Sequence, residues 1–236
     1  LVIIMVKAVF TEDAAQEAAR LCSYHTRVLT LQNGVGNSDT IAQFINPSRI
    51  VCGTTQNGAM MVGPGHVRQT GQGDTIVGKL GGGVDRFVSE FAQLLNDSGL
   101  PAKAVDNVDS VIWSKLMMNA SSNALTALLR VTLGDLVSWT ETRDLVKACI
   151  IEVVNVATAK GIRLLYEDPV GTALSVMKDL KAHYTTMYQD VVAERRTEID
   201  VINGAVVEEG RKLNIPTPIN KVITQLVKGL EYTYLS

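Results

Sequence analysis

The strongest constraint is a change of rhythm along the chain. From residue 1 to about 57, short β-branched runs alternate with helical patterns: "LVIIMV", "TEDAAQEAARLCS", "RVLTLQ", "SDTIAQFI" and "RIVCGTT", with Thr11 and Ser38 as N-cap candidates. Such alternation predicts βαβ units and a parallel sheet. From about Val84 the period becomes helical, over roughly 84–98, 107–131, 140–160, 168–183, 186–212 and 217–232, punctuated by "GLPA", "KGIRLLYEDP" and "KLNIPTP". An α/β segment, 1–106, is therefore expected to precede an all-α domain, 107–236. Between the two rhythms, "GPGHVRQTGQGDTIVGKLGGG" is rich in glycine around two β-like runs, "HVRQT" and "DTIVG". These are read as a hairpin closing the sheet.

The opening run, "LVIIMVKA", is wholly apolar and β-branched, as in a central parallel strand with neighbours on both sides. The expectation is the C-terminal half of a Rossmann-like parallel sheet in the later part of a longer protein. No G-x-G-x-x-G fingerprint is present, since the third glycine is missing after each G-x-G pair.

Composition narrows the partners. With 24 Asp and Glu against 22 Lys and Arg, the net charge of −2 gives no basic field for nucleic acid and no polybasic membrane anchor. No apolar run reaches the roughly 18 to 20 residues of a membrane span. Cys22, Cys52 and Cys149 are odd in number and widely spaced, which argues against a disulfide framework or a zinc site and fits a reduced, cytoplasmic compartment. A small-molecule partner and no metal are expected.

Candidate chemistry collects in three places. In open parallel sheets ligands bind at the carboxyl ends of strands, where Lys7, Asn33 in "QNGVG" and "TTQNGA" fall; each alone also reads as a turn or a solvated charge. The second place is "WSKLMMNASSNALTALL". At 100° per residue, Lys115, Asn119, Ser122, Asn123 and Thr126 lie within an arc of about 100° on an otherwise apolar helix. No carboxylate stands at i+4 from the lysine, so a cleft wall competes with an inert exposed face. The third is "TTMYQDVVAERRTEIDVINGAVV", whose charges mostly suit a solvated helix, although Glu198 stands next to apolar Ile199, Val201 and Ile202.

"KLMMNASSNALTAL", "TEIDVINGAVV", "NIPTPIN", "VKA" and "LQNGVG", in that composite pattern over essentially the whole chain, resemble the ketopantoate reductase (2-dehydropantoate 2-reductase) family, within the 6-phosphogluconate-dehydrogenase-like superfamily. The resemblance implies an N-terminal NADP(H)-binding Rossmann-type domain, a helical substrate domain, and reduction of 2-dehydropantoate to (R)-pantoate in pantothenate and coenzyme A biosynthesis. It assigns Lys115 as general acid, Asn119, Asn123 and Thr186 as substrate-binding residues, Lys7, Asn33 and Ala59 as cofactor contacts, and Glu198 beside both lysine and nicotinamide. It further implies that the first ~70 residues, about one mononucleotide-binding half, are missing. Leu133 stands where the family often has an asparagine, which leaves another branched 2-oxo acid open as substrate. A non-catalytic binding or oligomerisation fragment is the rival of a different class. The long apolar helices after Trp139 suit either a homodimer interface or internal packing.

Overall fold

The computed structural model describes residues 1–235. It divides into two compact units, one of residues 1–32 and 37–112, the other of residues 33–36 and 113 onwards.

The first unit is built on a five-stranded sheet. Its strands are β1 (Val2–Ile4), β2 (Val28–Thr30), β3 (Ile50–Thr55), β6 (Thr75–Lys79) and β7 (Ala102–Ala104), hydrogen-bonded in the order β1-β2-β3-β6-β7. A separate two-stranded ribbon, β4 (Gly58–Gly63) with β5 (His66–Gly71), lies between β3 and β6 in sequence. The helices are α1 (Thr11–Leu21), α2 (Asn37–Ala42) and α3 (Arg86–Asp97). Successive side chains of a strand point to opposite faces, and two small cores result. Val28 and Ile50 pack with Ile4, Ala15 and Ile41 on the α1 and α2 side. Leu29 and Val51 pack with Val77, Val88 and Phe91 on the α3 side.

Two expectations are corrected here. The sheet is mixed: β1, β2 and β3 are parallel, but β6 is antiparallel to β3, with Thr55 opposite Thr75. The ribbon β4–β5 returns the chain to the point where β3 ended, so the next strand must run backwards; a parallel neighbour needs a crossover to the far end. The hairpin accordingly joins "GAMMVG" to "HVRQTG", while "DTIVG" leads into the main sheet. Among the described residues β1 pairs with β2 and buries Ile4, while Ile3 is 53% exposed.

The second unit is helical. Most of α4 (Val108–Leu129) belongs to it, followed by α5 (Leu133–Ser138), α6 (Thr140–Ala159), α7 (Pro169–Asp179), α8 (Thr186–Val192), α9 (Asn203–Leu213) and α10 (Pro218–Leu235). Its core is one cluster in which Leu116, Met117, Ala120 and Ala124 of α4 meet Ile150 and Val153 of α6 and Val206, Ile223 and Val227 of α9 and α10. Leu133 is buried in this cluster, so its side chain is committed to packing. The single helix expected over 186–212 is interrupted. α8 closes through Glu194 in the left-handed region (φ 52°), with Arg195 N donating to Asp190 O at 2.8 Å, and a 3-10 turn (Ile199–Val201) precedes α9. No helix among the described residues is long and apolar enough to cross a membrane.

Candidate active site

Because α4 is packed on nearly all sides, its polar positions must be accounted for one by one. Ser121, Ser122 and Thr126 turn their hydroxyls back onto carbonyls of Met117, Met118 and Ser122 at 2.8 to 3.0 Å. That satisfies them locally. Asn123 is buried, and its amide oxygen accepts from the Ser122 hydroxyl at 3.3 Å. Asn119 is half-buried and makes no side-chain hydrogen bond among the described residues. Lys115 is half-buried on the same face.

Lys115 is the electrostatic focus. Burial pushes its ammonium down from the ordinary lysine value to about 8, and the Glu198 carboxylate pulls in the opposite direction. Desolvation therefore outweighs the partner, and the amine is poised to exchange a proton near neutral pH.

Glu198 owes its position to the break that the sequence concealed. Thr197 N donates to the Glu231 carboxylate at 2.7 Å, Ile199 N to the Thr197 hydroxyl at 3.2 Å, and Val201 N to Glu198 O at 3.2 Å. The tetrapeptide Asn33–Gly36 reaches the same place from far upstream. Asn33 Nδ2 donates to Glu198 Oε2 at 3.3 Å, and Val35 N to Val201 O at 3.0 Å. Gly34 is obligatory: its φ is +82°, and a Cβ there would stand 2.2 Å from the Val201 carbonyl oxygen. Gly36, at φ +94°, has open space where a Cβ would be, so a ligand can approach the main chain there.

The remaining candidates fall as follows. Thr186 is the exposed first residue of α8. Its neighbour Thr185, which the sequence reading missed, is 4% exposed; its hydroxyl lies 2.7 Å from that of Thr126 and caps α8 through Tyr188 N at 3.3 Å. The N-cap position before "TMYQDVV" was the available signal. Lys7 and Ala59 belong to the sheet unit. Lys7 is half-buried after β1 and begins a 3-10 turn, and Ala59 is exposed on β4 opposite Gln69. Lys115, Asn119, Asn123, Glu198 and Asn33 all belong to the helical unit.

A second polar group in that unit also escaped the sequence. Asn203 Nδ2 donates to Ala120 O (2.8 Å) and to Asn220 Oδ1 (2.9 Å); Asn220 Nδ2 donates to Glu152 Oε2 (2.7 Å). Glu152 also accepts from the backbone N–H of Ile219 (2.8 Å) and Asn220 (2.9 Å), capping the start of α10. The adjoining Cys149 thiol is pushed up by burial, with Glu152 adding to the effect, and stays protonated.

The geometry defines a class: one chain combining an α/β sheet unit with an all-helical unit that carries a titratable lysine, a carboxylate and amides. The family model described as Ketopantoate reductase PanE/ApbA matches residues 1–82, and the model of that family's C-terminal domain matches 107–231. The 2-dehydropantoate 2-reductase of Halobacterium salinarum is 33% identical over 228 residues, 97% of this chain and 75% of the relative. The fold superposes on D-mandelate dehydrogenase in ternary complex with NADH and anilino(oxo)acetate (TM-score 0.91, 31% identity, 99% of this chain and 77% of that one). A PanE/ApbA family ketopantoate reductase from Ralstonia eutropha JMP134 gives TM-score 0.90 at 29% identity, covering 99% and 76%. The chain thus belongs to the ketopantoate reductase PanE/ApbA family of oxidoreductases.

Proposed function

We propose that this protein reduces a 2-oxo acid with NADPH, 2-dehydropantoate to (R)-pantoate being the reaction, with Lys115 as general acid. The observation that carries the reading is the half-buried Lys115 amine, held near pKa 8 beside Glu198 on a helix face shared with Asn119 and Asn123. Residues 1–106 serve as the cofactor-binding domain and 107–236 as the substrate domain. Lys7, Asn33, Ala59 and Glu198 are assigned to the cofactor by their motif positions. The left-handed Gly36 and the space beside it suit close approach of such a group.

A bound nicotinamide supplies the hydride. The chain's own residues do the rest. Negative charge develops on the C2 carbonyl oxygen as the C–H bond forms, and the Lys115 ammonium stabilises it and transfers its proton to that oxygen. Lysine is then neutral, and a proton from solvent restores it. Glu198 favours the ammonium form, and Asn33 holds the Glu198 carboxylate in place. Asn119 and Asn123 can each donate and accept, which suits a substrate bearing hydroxyl and carboxylate groups; Thr186 offers a further hydroxyl.

A second reading, reduction of an aryl or differently branched 2-oxo acid with NADH, is favoured by the likeness to D-mandelate dehydrogenase. Oxidation of NADPH and NADH with 2-dehydropantoate and phenylglyoxylate, followed by absorbance, separates the two. Turnover restricted to phenylglyoxylate would replace the first reading with the second. No turnover of either by the folded protein would overturn both.

A further inference from the structure

The sheet unit carries a polar hollow that the reductase reading does not use. Its volume is about 480 Å3, and Arg27, Arg49, Lys79, Asp85, His25 and Tyr24 line it. Arg27 precedes β2, Arg49 precedes β3, and Lys79 ends β6 in register with Val51. Since β6 runs against β2 and β3, all three cations converge on the amino ends of the parallel strands. Lys7 follows the carboxyl end of β1, the opposite edge of the sheet.

Two of these cations, Arg27 and Arg49, are fixed by hydrogen bonds to the main chain. Arg27 Nη1 donates to Ser48 O at 2.7 Å, its Nη2 lies 3.2 Å from Asp85, and its guanidinium stands 5.6 Å from the centre of the Phe87 ring. Arg49 Nη1 donates to Ser23 O at 2.6 Å. Asp85 is the single carboxylate in the lining, and it is already shared between Arg27 and the N-cap of α3, where Val88 N donates to it at 3.0 Å. Arg49 and Lys79, both half-buried, have no ion-pair partner among the described residues. Holding such charges together is unfavourable without a counter-ion, and the guanidinium fork matches the geometry of a phosphate. The volume is that of a small-molecule site. At the rim, Tyr24 meets His25 edge-on at 5.2 Å and is 86% exposed, so an aromatic face is free for a flat ring.

We infer that this hollow binds a small molecule bearing a pyrophosphate, with Arg49 and Lys79 taking the charge and the Tyr24–His25 pair bordering the remainder. Isothermal titration of the full chain with pyrophosphate, ADP and inorganic phosphate tests it, in the wild type and in Lys79→Glu, Lys79→Ala, Arg49→Ala and Arg68→Ala, the last an exposed cation on the β4–β5 ribbon beyond the carboxyl end of β3. Pyrophosphate and ADP bind the wild type, and both weaken by at least about tenfold in Lys79→Glu and Arg49→Ala. Lys79→Ala weakens them less, and Arg68→Ala leaves them unchanged. Melting without ligand and 2-oxo acid reduction stay at the wild-type level in Lys79→Ala, which separates this site from the reductase reading. Absence of pyrophosphate binding to the wild type overturns the proposal, as does equal affinity in Lys79→Glu. ADP binding that survives both Lys79→Glu and Arg49→Ala reports another site and counts against it. Binding of inorganic phosphate with exclusion of pyrophosphate and ADP overturns the ligand class.

Discussion

Two polar groups inside the helical unit make an instructive pair. The Asn203–Asn220–Glu152 network closes almost completely on itself: one carboxylate takes two backbone N–H groups and an amide, and Asn203 Oδ1 is the atom with no partner among the described residues. In the Lys115–Asn119–Asn123 row, on α4, Asn119 makes no side-chain hydrogen bond among the described residues, and the lysine pKa is held at about 8. The first arrangement spends its hydrogen-bonding capacity on fixing α10 against α6. In the second, the Asn119 amide is held in reserve, as a ligand site requires. Burial and bonding separate them together: Asn203, Asn220 and Glu152 are buried, whereas Lys115 and Asn119 are half-buried and the Asn119 amide makes no side-chain hydrogen bond among the described residues.

Substitutions can break that contrast. The largest effect is expected from Lys115→Ala: turnover falls by about 10²- to 10⁴-fold, while thermal denaturation shows a folded protein. Near-normal turnover would remove Lys115 from the chemistry. Its titration sharpens the point, because the proton-bearing form is the active one. The rate should be flat below about pH 8 and fall as pH rises through that value, tracked as kcat/KM against pH. Stability moves the other way. The folded pKa lies below the unfolded one, so the unfolded chain binds the extra proton between about 8 and 10.5, and Lys115 costs less stability as pH rises through that window.

Next comes Glu152→Ala, which strands two backbone N–H groups and the Asn220 amide and should cost about 3 kcal/mol in denaturant unfolding. Activity of the folded fraction should be retained; a loss comparable to that of Lys115→Ala would erase the distinction drawn above. Gly34→Ala should cost about 2 kcal/mol, since it forces a Cβ onto the Val201 carbonyl at a positive φ. It should also move Asn33 off Glu198 and shift the pH profile. The smallest effect is expected from Thr185→Val, about 1 kcal/mol for the lost cap of α8, read by thermal unfolding.

Much of this architecture could be read from periodicity. The long helices α3, α4, α6 and α10 and the strand–helix alternation before them carry strong apolar repeats, and the row on α4 follows from helical spacing alone. Pairing direction could not be read. Nothing local in "DTIVG" encodes that it runs against β3; the excursion through β4 and β5 decides it. The break between α8 and α9 was hidden because no glycine or proline marks it. It is made by Glu194 in a left-handed turn and by the distant Glu231 carboxylate binding Thr197 N. Glu152 and Thr185 were hidden for a related reason. An acidic residue on an amphipathic helix and a threonine before one have ordinary surface explanations, and only tertiary neighbours reveal otherwise.

The tetrapeptide Asn33–Gly36 has a bearing on how such chains can be recombined. It is encoded within the sheet unit yet counts as part of the helical unit, where Val35 N holds Val201 O and Asn33 reaches Glu198. A crossover near residue 107 would exchange the helical unit and leave these four residues behind. Chimeras made at that joint would inherit a foreign loop at the carboxylate beside the lysine. Recovering function in them should require transplanting residues 33–36 along with the helices.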